Sequence, residues 1–173
     1  LDCTTDECDI TTSSERTTKK SRILSSTKSS TSKSAKTSAN STSIAHGVAI
    51  GTSSIAHQNG AIAIGYGNVS SANSSISIGT NSTANSANAM AWGTNSTATA
   101  ESAISMGTAA SSSALHSISI GTTSTANAAN ATALGHSAEA SAERSTDLGI
   151  GSKANQLTAT ALGHNSLANN VNA

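Results

Sequence analysis

The side chains able to do chemistry are few and scattered along the sequence. The histidines are His46, His57, His116, His136 and His164. His136 and His164 occupy the same position of a repeat two units apart, where stacked strands would separate them by about 10 Å. Two ligands of one metal ion must lie closer than that. We therefore expect solvated turn histidines, with no metal site and no cofactor.

A second group combines three carboxylates with one arginine near the end of the chain. Its members are Glu139, Glu143, Arg144 and Asp147. Their positions after a turn predict a charged patch that points outward, rather than an acid and a base poised for proton transfer. Serine is so abundant that a Ser/His/Asp combination carries no information. The sequence indicates no catalytic residue, and we expect a protein that is not an enzyme.

The first 43 residues differ from the rest of the chain. They are rich in Ser, Thr and Lys and have no period of two or 3.6, which predicts a flexible or partner-dependent leader over residues 1–43. Cys3 and Cys8 lie in its acidic opening, and their spacing is not a zinc-binding pattern. It is compatible with a local disulfide, with a link between subunits or with free thiols.

Low charge and the absence of a long apolar stretch argue against two classes of partner for residues 44–173, nucleic acid and the membrane interior. The nine basic and nine acidic residues cancel, and few of them lie beyond the leader. A body with so little charge has no electrostatic surface for nucleic acid. No apolar stretch is long enough to span a bilayer as a helix, so we expect no membrane insertion by this segment.

A glycine that returns every fourteen residues organises residues 44–173. The repeat glycines are Gly51, Gly65, Gly79, Gly93, Gly107, Gly121, Gly135, Gly149 and Gly163. A repeat this strict is typical of stacked architectures, in which each unit buries a thin stripe against its neighbours. Two aliphatic residues per unit then suffice, although the composition alone would suggest disorder.

A large apolar side chain stands one residue before each glycine, and another stands three residues before it until threonine replaces it at Thr132, Thr146 and Thr160. The spacing of two is strand periodicity, which argues against reading fourteen residues as two heptads of a coiled coil. We expect these columns to fill the interior of each coil, opposite small residues of a second strand such as Ala98 and Ala100. The predicted core is Val48, Ile50, Ile62, Ile64, Ile76, Ile78, Met90, Trp92, Ile104, Met106, Ile118, Ile120, Leu134, Leu148 and Leu162.

The prediction is therefore an all-β parallel β-solenoid of about nine 14-residue coils. One such rod buries little surface, so we expect oligomerisation through its flat columns of small residues. Trp92 is expected to be buried in a core column, whereas Tyr66 lies in a turn and is the better candidate for an exposed contact residue.

The units SISIGTNSTANSANA, SISIGTTSTANAANA and AIAIGYGNVSSANS resemble the head repeats of trimeric autotransporter adhesins, the YadA-like heads. The resemblance covers about residues 44–173. It implies a left-handed parallel β-roll, a homotrimer and a non-enzymatic role in adhesion to extracellular matrix or to a host-cell surface protein. The location it implies is extracellular, at the cell surface, with outer-membrane anchoring in a full adhesin.

Two other functions remain open from the residues. A viral or phage fibre could use the same roll as a stiff spacer, which would place it at the virion surface. An ice-binding solenoid is suggested by the ladder Thr80, Thr94, Thr108 and Thr122. That ladder is interrupted by Tyr66, His136, Ile150 and His164, which disfavours ice binding.

Overall fold

The computed structural model describes residues 35–36, 41–43 and 46–173. These residues form twenty short strands in two ten-stranded parallel sheets, named here sheet A and sheet B. Successive strands alternate between the sheets, so each coil contributes one strand to each. Cys3, Cys8 and most of the expected leader lie outside the described residues. Within those residues, no helix is long and apolar enough to cross a membrane.

The strands are brief because each side of a coil holds only a few residues. Sheet A contains β1 (Ala35–Lys36), β3 (Val48–Ile50), β5 (Ile62–Tyr66), β7 (Ile76–Thr80), β9 (Met90–Thr94), β11 (Ile104–Met106), β13 (Ile118–Ile120), β15 (Thr132–Leu134), β17 (Thr146–Leu148) and β19 (Thr160–Leu162). Sheet B contains β2 (Thr42–Ser43), β4 (Ile55–Ala56), β6 (Val69–Ser70), β8 (Thr83–Ala84), β10 (Thr97–Ala98), β12 (Ser111–Ser112), β14 (Thr125–Ala126), β16 (Glu139–Ala140), β18 (Lys153–Ala154) and β20 (Leu167–Ala168).

The register between coils follows the sequence period. Ile62 pairs with Ile76, and Ile104 pairs with Ile118, each one repeat further along. The parallel β-solenoid of 14-residue coils predicted from the glycine column is therefore confirmed. The first coil differs, since Ala35 pairs with Val48 and Thr42 with Ile55, a spacing of thirteen residues. The sheets thus begin inside the segment expected to be a leader, before residue 44.

The interior of the roll is built from small side chains alone, apart from Asn68 and Asp147. Four columns point inward, and their buried members are Ala, Ser or these two exceptions. In sheet A the column is Ala49, Ala63, Ser77, Ala91, Ser105, Ser119, Ala133, Asp147 and Ala161, with none more than 2% exposed. The facing column of sheet B is Ala56, Ser70, Ala84, Ala98, Ser112, Ala126, Ala140, Ala154 and Ala168.

The prediction that the large columns fill this interior is wrong for the single chain. Trp92 is 51% exposed, and Leu162 is 69% exposed. The predicted core residues of both columns, from Val48 and Ile50 onward, lie on the outer face of sheet A, where each is half-buried or exposed. Successive side chains of a strand point to opposite faces, so either the two large apolar residues or the small residue between them must point inward. The small residue goes inward because the second strand and both turns also present only small side chains there, which leaves no room for isoleucine.

The small columns, for the same reason, are not the outward face expected to meet other copies. They are sealed between the two sheets, as the burial of Ala63 and Ala84 illustrates. Any packing of one chain against another must use the side chains that point away from them.

The repeat glycines lie where consecutive coils come closest. Gly107 has a φ of 135°, and a Cβ added there would lie 2.4 Å from the carbonyl oxygen of Gly121 and 2.6 Å from its carbonyl carbon. Both the positive φ and the contact require glycine. The column therefore does more than provide entry to a turn, because it lets successive backbones stack without a side chain between them.

Two tight turns close each coil. In the turn before sheet A, the N–H of Ala89 donates to the carbonyl of Ser86 at 3.1 Å, and Asn88 between them has a φ of 58°. A positive φ at the third turn residue is the mark of a type II turn, which favours Gly or Asn. The same conformation at His116, Arg144 and Thr158 is tolerated because hydrogen bonds between coils hold every turn in place.

We expect Gly107→Ala to destabilise the roll more than Gly163→Ala does. Both substitutions place alanine at a positive φ, which costs about 1–3 kcal/mol. Only Gly107 would also force a methyl group into the neighbouring backbone, since nothing lies within 4 Å of a Cβ at Gly163. The added cost should be about 2 kcal/mol or more. Thermal unfolding followed by circular dichroism measures the difference, and equal melting temperatures would contradict the close stacking of glycines.

Candidate functional site

The histidines do not come together into a site. His46, His57, His116, His136 and His164 are all exposed. His136 and His164 share a turn position with Ile150 between them, as the repeat predicted. The described residues contain no group of three His, Cys, Asp or Glu side chains placed to hold a metal ion.

The charged residues near the end of the chain do not share one face, because some point to solvent and one points into the interior. Glu139 points outward and its Oε2 accepts from the Nζ of Lys153 at 2.8 Å, while Glu143 and Arg144 form an exposed pair at 3.2 Å. Asp147 is different, because it stands in the inward column of sheet A and has no exposed surface. The prediction that Asp147 belongs to an outward patch is wrong. Its place in the column of Ala133 and Ala161 was the signal that could have located it.

Asp147 is the most costly polar group in the interior. Its Oδ2 accepts from the backbone N–H of Glu139 at 2.5 Å, whereas its Oδ1 has no hydrogen-bond partner. Burial raises the pKa of the Asp147 carboxyl, and the hydrogen bonds from Ser152 and the Glu139 backbone only partly oppose this shift. Since burial disfavours the charged form, this coil is destabilised where the carboxyl is ionised.

Other polar residues of the interior are better satisfied. Asn68 donates from Nδ2 to the carbonyls of Ile64 and Gly79 at 2.5 and 2.7 Å. Its Oδ1 accepts from both the N–H and the hydroxyl of Ser82 at 2.9 and 2.8 Å. The whole carboxamide is thus used to join two neighbouring coils, which explains how a side chain of this size is accommodated.

Serine pairs across the interior follow a simple rule. The hydroxyls of Ser77 and Ser82 lie 2.7 Å apart, because the residue five positions after an inward residue of sheet A faces it across the interior. Ser119 and Ser124 repeat this pair at 2.7 Å. At Ser105 the facing residue is alanine, and the Ser105 hydroxyl has no partner. The interior therefore consists mainly of alanine, with pairs of hydrogen-bonded serines at some coils.

The outer face of sheet A is the largest candidate for an interaction surface. Two apolar columns run along it, and their members change from Ile and Val at the start to a Thr and Leu pair in the last three coils. Exposure of the second column is 36% at Ile50, 39% at Leu134 and 40% at Leu148. Large exposed apolar patches on single chains generally mark interaction sites, which makes this stripe a candidate interface.

The outer face of sheet B is polar over most of its length. Thr83, Thr97, Ser111 and Thr125 follow one another along it. Beside them, side-chain hydrogen bonds join adjacent coils, from Ser71 to Asn85 at 2.9 Å, from Ser113 to Asn127 at 3.1 Å and from Ser141 to Asn155 at 3.0 Å. The two outer faces therefore differ, with sheet A suited to burial and sheet B suited to contact with water.

A third column of side chains lies one residue after the repeat glycines. Tyr66, at 58% exposed, precedes the threonines Thr80, Thr94, Thr108 and Thr122 in this column. The exposure expected for Tyr66 is observed, but its expected place in a turn is wrong, because Tyr66 is the last residue of β5. Trp92, expected to be buried, instead joins the apolar stripe of sheet A.

Stacked 14-residue coils, a glycine at the close approaches of successive backbones and two unlike outer faces define a parallel β-solenoid. The family model of the YadA head domain repeat matches residues 45–68, 70–96, 87–110, 98–124, 112–138, 126–146 and 140–166. These matches overlap to cover more than half of the chain. The chain belongs to the YadA head domain repeat family, as the resemblance of its units indicated.

Comparison with solved structures finds the collagen-binding domain of the Yersinia adhesin YadA. The two are 24% identical, with a TM-score of 0.41, over 74% of this chain and 64% of that one. The chain thus spans less than two thirds of the length of that domain. No curated protein sequence matches the chain significantly.

Replacing the buried carboxyl should stabilise the roll at neutral pH. In Asp147→Ser the new hydroxyl would face Ser152 as Ser77 faces Ser82, and the unpaired buried oxygen would be gone. We expect a gain of about 1–3 kcal/mol.

The pH dependence has a definite sign. Since the folded pKa of Asp147 is raised, its protonated form is favoured in the folded state, and this stabilisation is lost as pH rises through the folded pKa. The melting temperature of the parent chain should therefore decrease as pH rises from the ordinary pKa of an aspartate through the raised pKa of Asp147. In Asp147→Ser this decrease should be smaller. Glu143→Gln, an exposed control, should leave it unchanged; a parent and an Asp147→Ser variant with the same pH profile would contradict this account.

Proposed function

We propose that this chain is the adhesive head segment of a homotrimeric surface protein, with three copies packed through the outer faces of their A sheets. The observation that carries the proposal is the apolar stripe on that face. It extends over every coil from Val48 to Leu162. The number three comes from the likeness to trimeric autotransporter heads.

The energetics of a lone roll support association. An isoleucine transferred fully from water contributes about 1.5–3 kcal/mol, and the columns contain many side chains that are only half-buried in one chain. The interior contributes much less per residue, because it consists of alanine and serine. Packing of the stripes would thus supply the apolar burial that the thin interior lacks.

Association through sheet A would leave sheet B and the turns available to a partner. Their hydroxyl and amide groups repeat at the spacing of parallel strands, about 4.8 Å. A surface that repeats along a rod suits an extended partner that it contacts at many points. We propose an extracellular-matrix or host-cell surface protein as that partner, in line with the collagen-binding domain of the Yersinia adhesin YadA. The role is non-enzymatic, and the location is extracellular at the cell surface.

The oligomeric state tests the packing. Ile118→Asp places a charge in the apolar stripe, where burial between chains would be strongly unfavourable. Thr125→Asp places the same charge on the outer face of sheet B. We expect the parent and Thr125→Asp proteins to have the mass of a trimer in sedimentation velocity, and Ile118→Asp to shift to monomer with its strands retained by circular dichroism. A monomeric parent, or a trimeric Ile118→Asp variant, would contradict packing through sheet A.

Adhesion is tested by shortening the rod without breaking its register. Deletion of residues 90–117 removes two whole coils and rejoins equivalent positions. If binding is distributed along the rod, the affinity for immobilised collagen or another matrix protein should fall about tenfold or more while the trimer is retained. A fragment of residues 1–43 serves as the comparison. Full binding by that fragment would place adhesion outside the 14-residue coils of residues 44–173.

A further inference from the structure

The turn at Asn59 and Gly60 holds the only Asn-Gly pair of the chain. Both residues are exposed. The turn is closed by the N–H of Ala61, which donates to the carbonyl of Gln58 at 3.1 Å, and Gly60 has a φ of 68°. In such a pair the glycine nitrogen can approach the asparagine side-chain carbonyl without hindrance from a Cβ.

The turn lies over the one coil that has a thirteen-residue register. Its Asn59 carbonyl accepts the N–H of Ser74 from the next coil at 2.9 Å.

A side chain from that shorter coil contacts the group that would react. The Nδ1 of His46 lies 3.3 Å from the Oδ1 of Asn59. This oxygen carries no hydrogen, so Nδ1 is the donor. When a nucleophile adds to the carboxamide carbon, negative charge develops on the same oxygen, and a hydrogen-bond donor held there stabilises the charge.

From these three features we infer that Asn59 is a site of self-modification by deamidation. The Gly60 nitrogen attacks the Asn59 side-chain carbonyl carbon and loses its proton to solvent. The bond between that carbon and the side-chain nitrogen breaks, and ammonia leaves with a proton from solvent. Water then opens the cyclic imide at one of its two carbonyls, which gives aspartate or isoaspartate.

The products alter the coil at a defined point. Both carry a new negative charge beside His46. Isoaspartate also adds one carbon to the backbone of a turn whose carbonyl accepts the N–H of Ser74. The modification would therefore loosen the link between the first coils, while the apolar stripe on the strands of sheet A stays intact.

Incubation of the folded protein at neutral pH tests the inference. Peptide mass mapping, together with an isoaspartyl methyltransferase assay, follows the conversion of each asparagine. Asn59 should convert before every other asparagine. Ser74→Gly provides the matched control, because it creates a second Asn-Gly pair at the same turn position, where the positive φ of Ser74 already suits glycine. There Gly60 occupies the repeat position that His46 occupies beside Asn59, so the new pair has no imidazole beside it.

In that variant the new pair at Asn73 should convert about threefold more slowly than Asn59, because it lacks the hydrogen bond from an imidazole to the side-chain oxygen. His46→Gln should slow the conversion of Asn59 about threefold, as expected for one weakened hydrogen bond. Equal rates at the two pairs of Ser74→Gly, or an unchanged rate in His46→Gln, would overturn the role of His46. An intact Asn59 in the folded parent, with conversion in its unfolded chain, would overturn the site itself.

Discussion

The structure depends on how little space separates its two sheets. Alanine and serine fill most of the interior, and successive backbones are in contact at the repeat glycines from Gly51 to Gly149, as the short approach of Gly107 to the Gly121 carbonyl illustrates. This spacing explains why large side chains must point outward. It also explains why the repeat is so strict, since one added methyl group at a glycine of the column would separate two coils along both sheets.

Because the interior is thin, each polar group inside it forms hydrogen bonds only within its own coil or with a neighbouring coil. Asn68 uses all its hydrogen-bonding capacity between adjacent coils, and the pair Ser77 and Ser82 is complete within one coil. Asp147 breaks this pattern, because no donor reaches its second oxygen. In stacked repeats, stability is close to a sum of unit and neighbour terms. The cost of Asp147 is therefore concentrated near the C-terminal coils rather than spread over the roll.

Periodicity predicted the architecture well and the orientation of its faces badly. The glycine column and the spacing of two indicated parallel strands in 14-residue coils, which the register of Ile62 with Ile76 bears out. Alternation, however, is symmetrical, and it says which residues share a face without saying which face is inside. The volume available between the two sheets decides which face is inside, and periodicity does not report that volume. Both turns and the second strand offer only small side chains, so a column containing Ile78 and Trp92 has no cavity to enter. Asp147 was misplaced by the same error, and the start of the sheets was missed because the first coil departs from the fourteen-residue period.

The correction also changes what association would mean for this protein. If the large columns had filled each coil, a single roll would contain a complete hydrophobic core, and contact between copies would add little to its stability. With Ile50 and Leu148 on the outer face, these apolar side chains stay partly exposed in a single chain and would be buried only by contact between chains. Folding and assembly would then be linked by mass action, so that the stability of the roll rises with its own concentration. The polar outer face of sheet B follows from the same division, because a rod that assembles through one face must keep another that remains soluble.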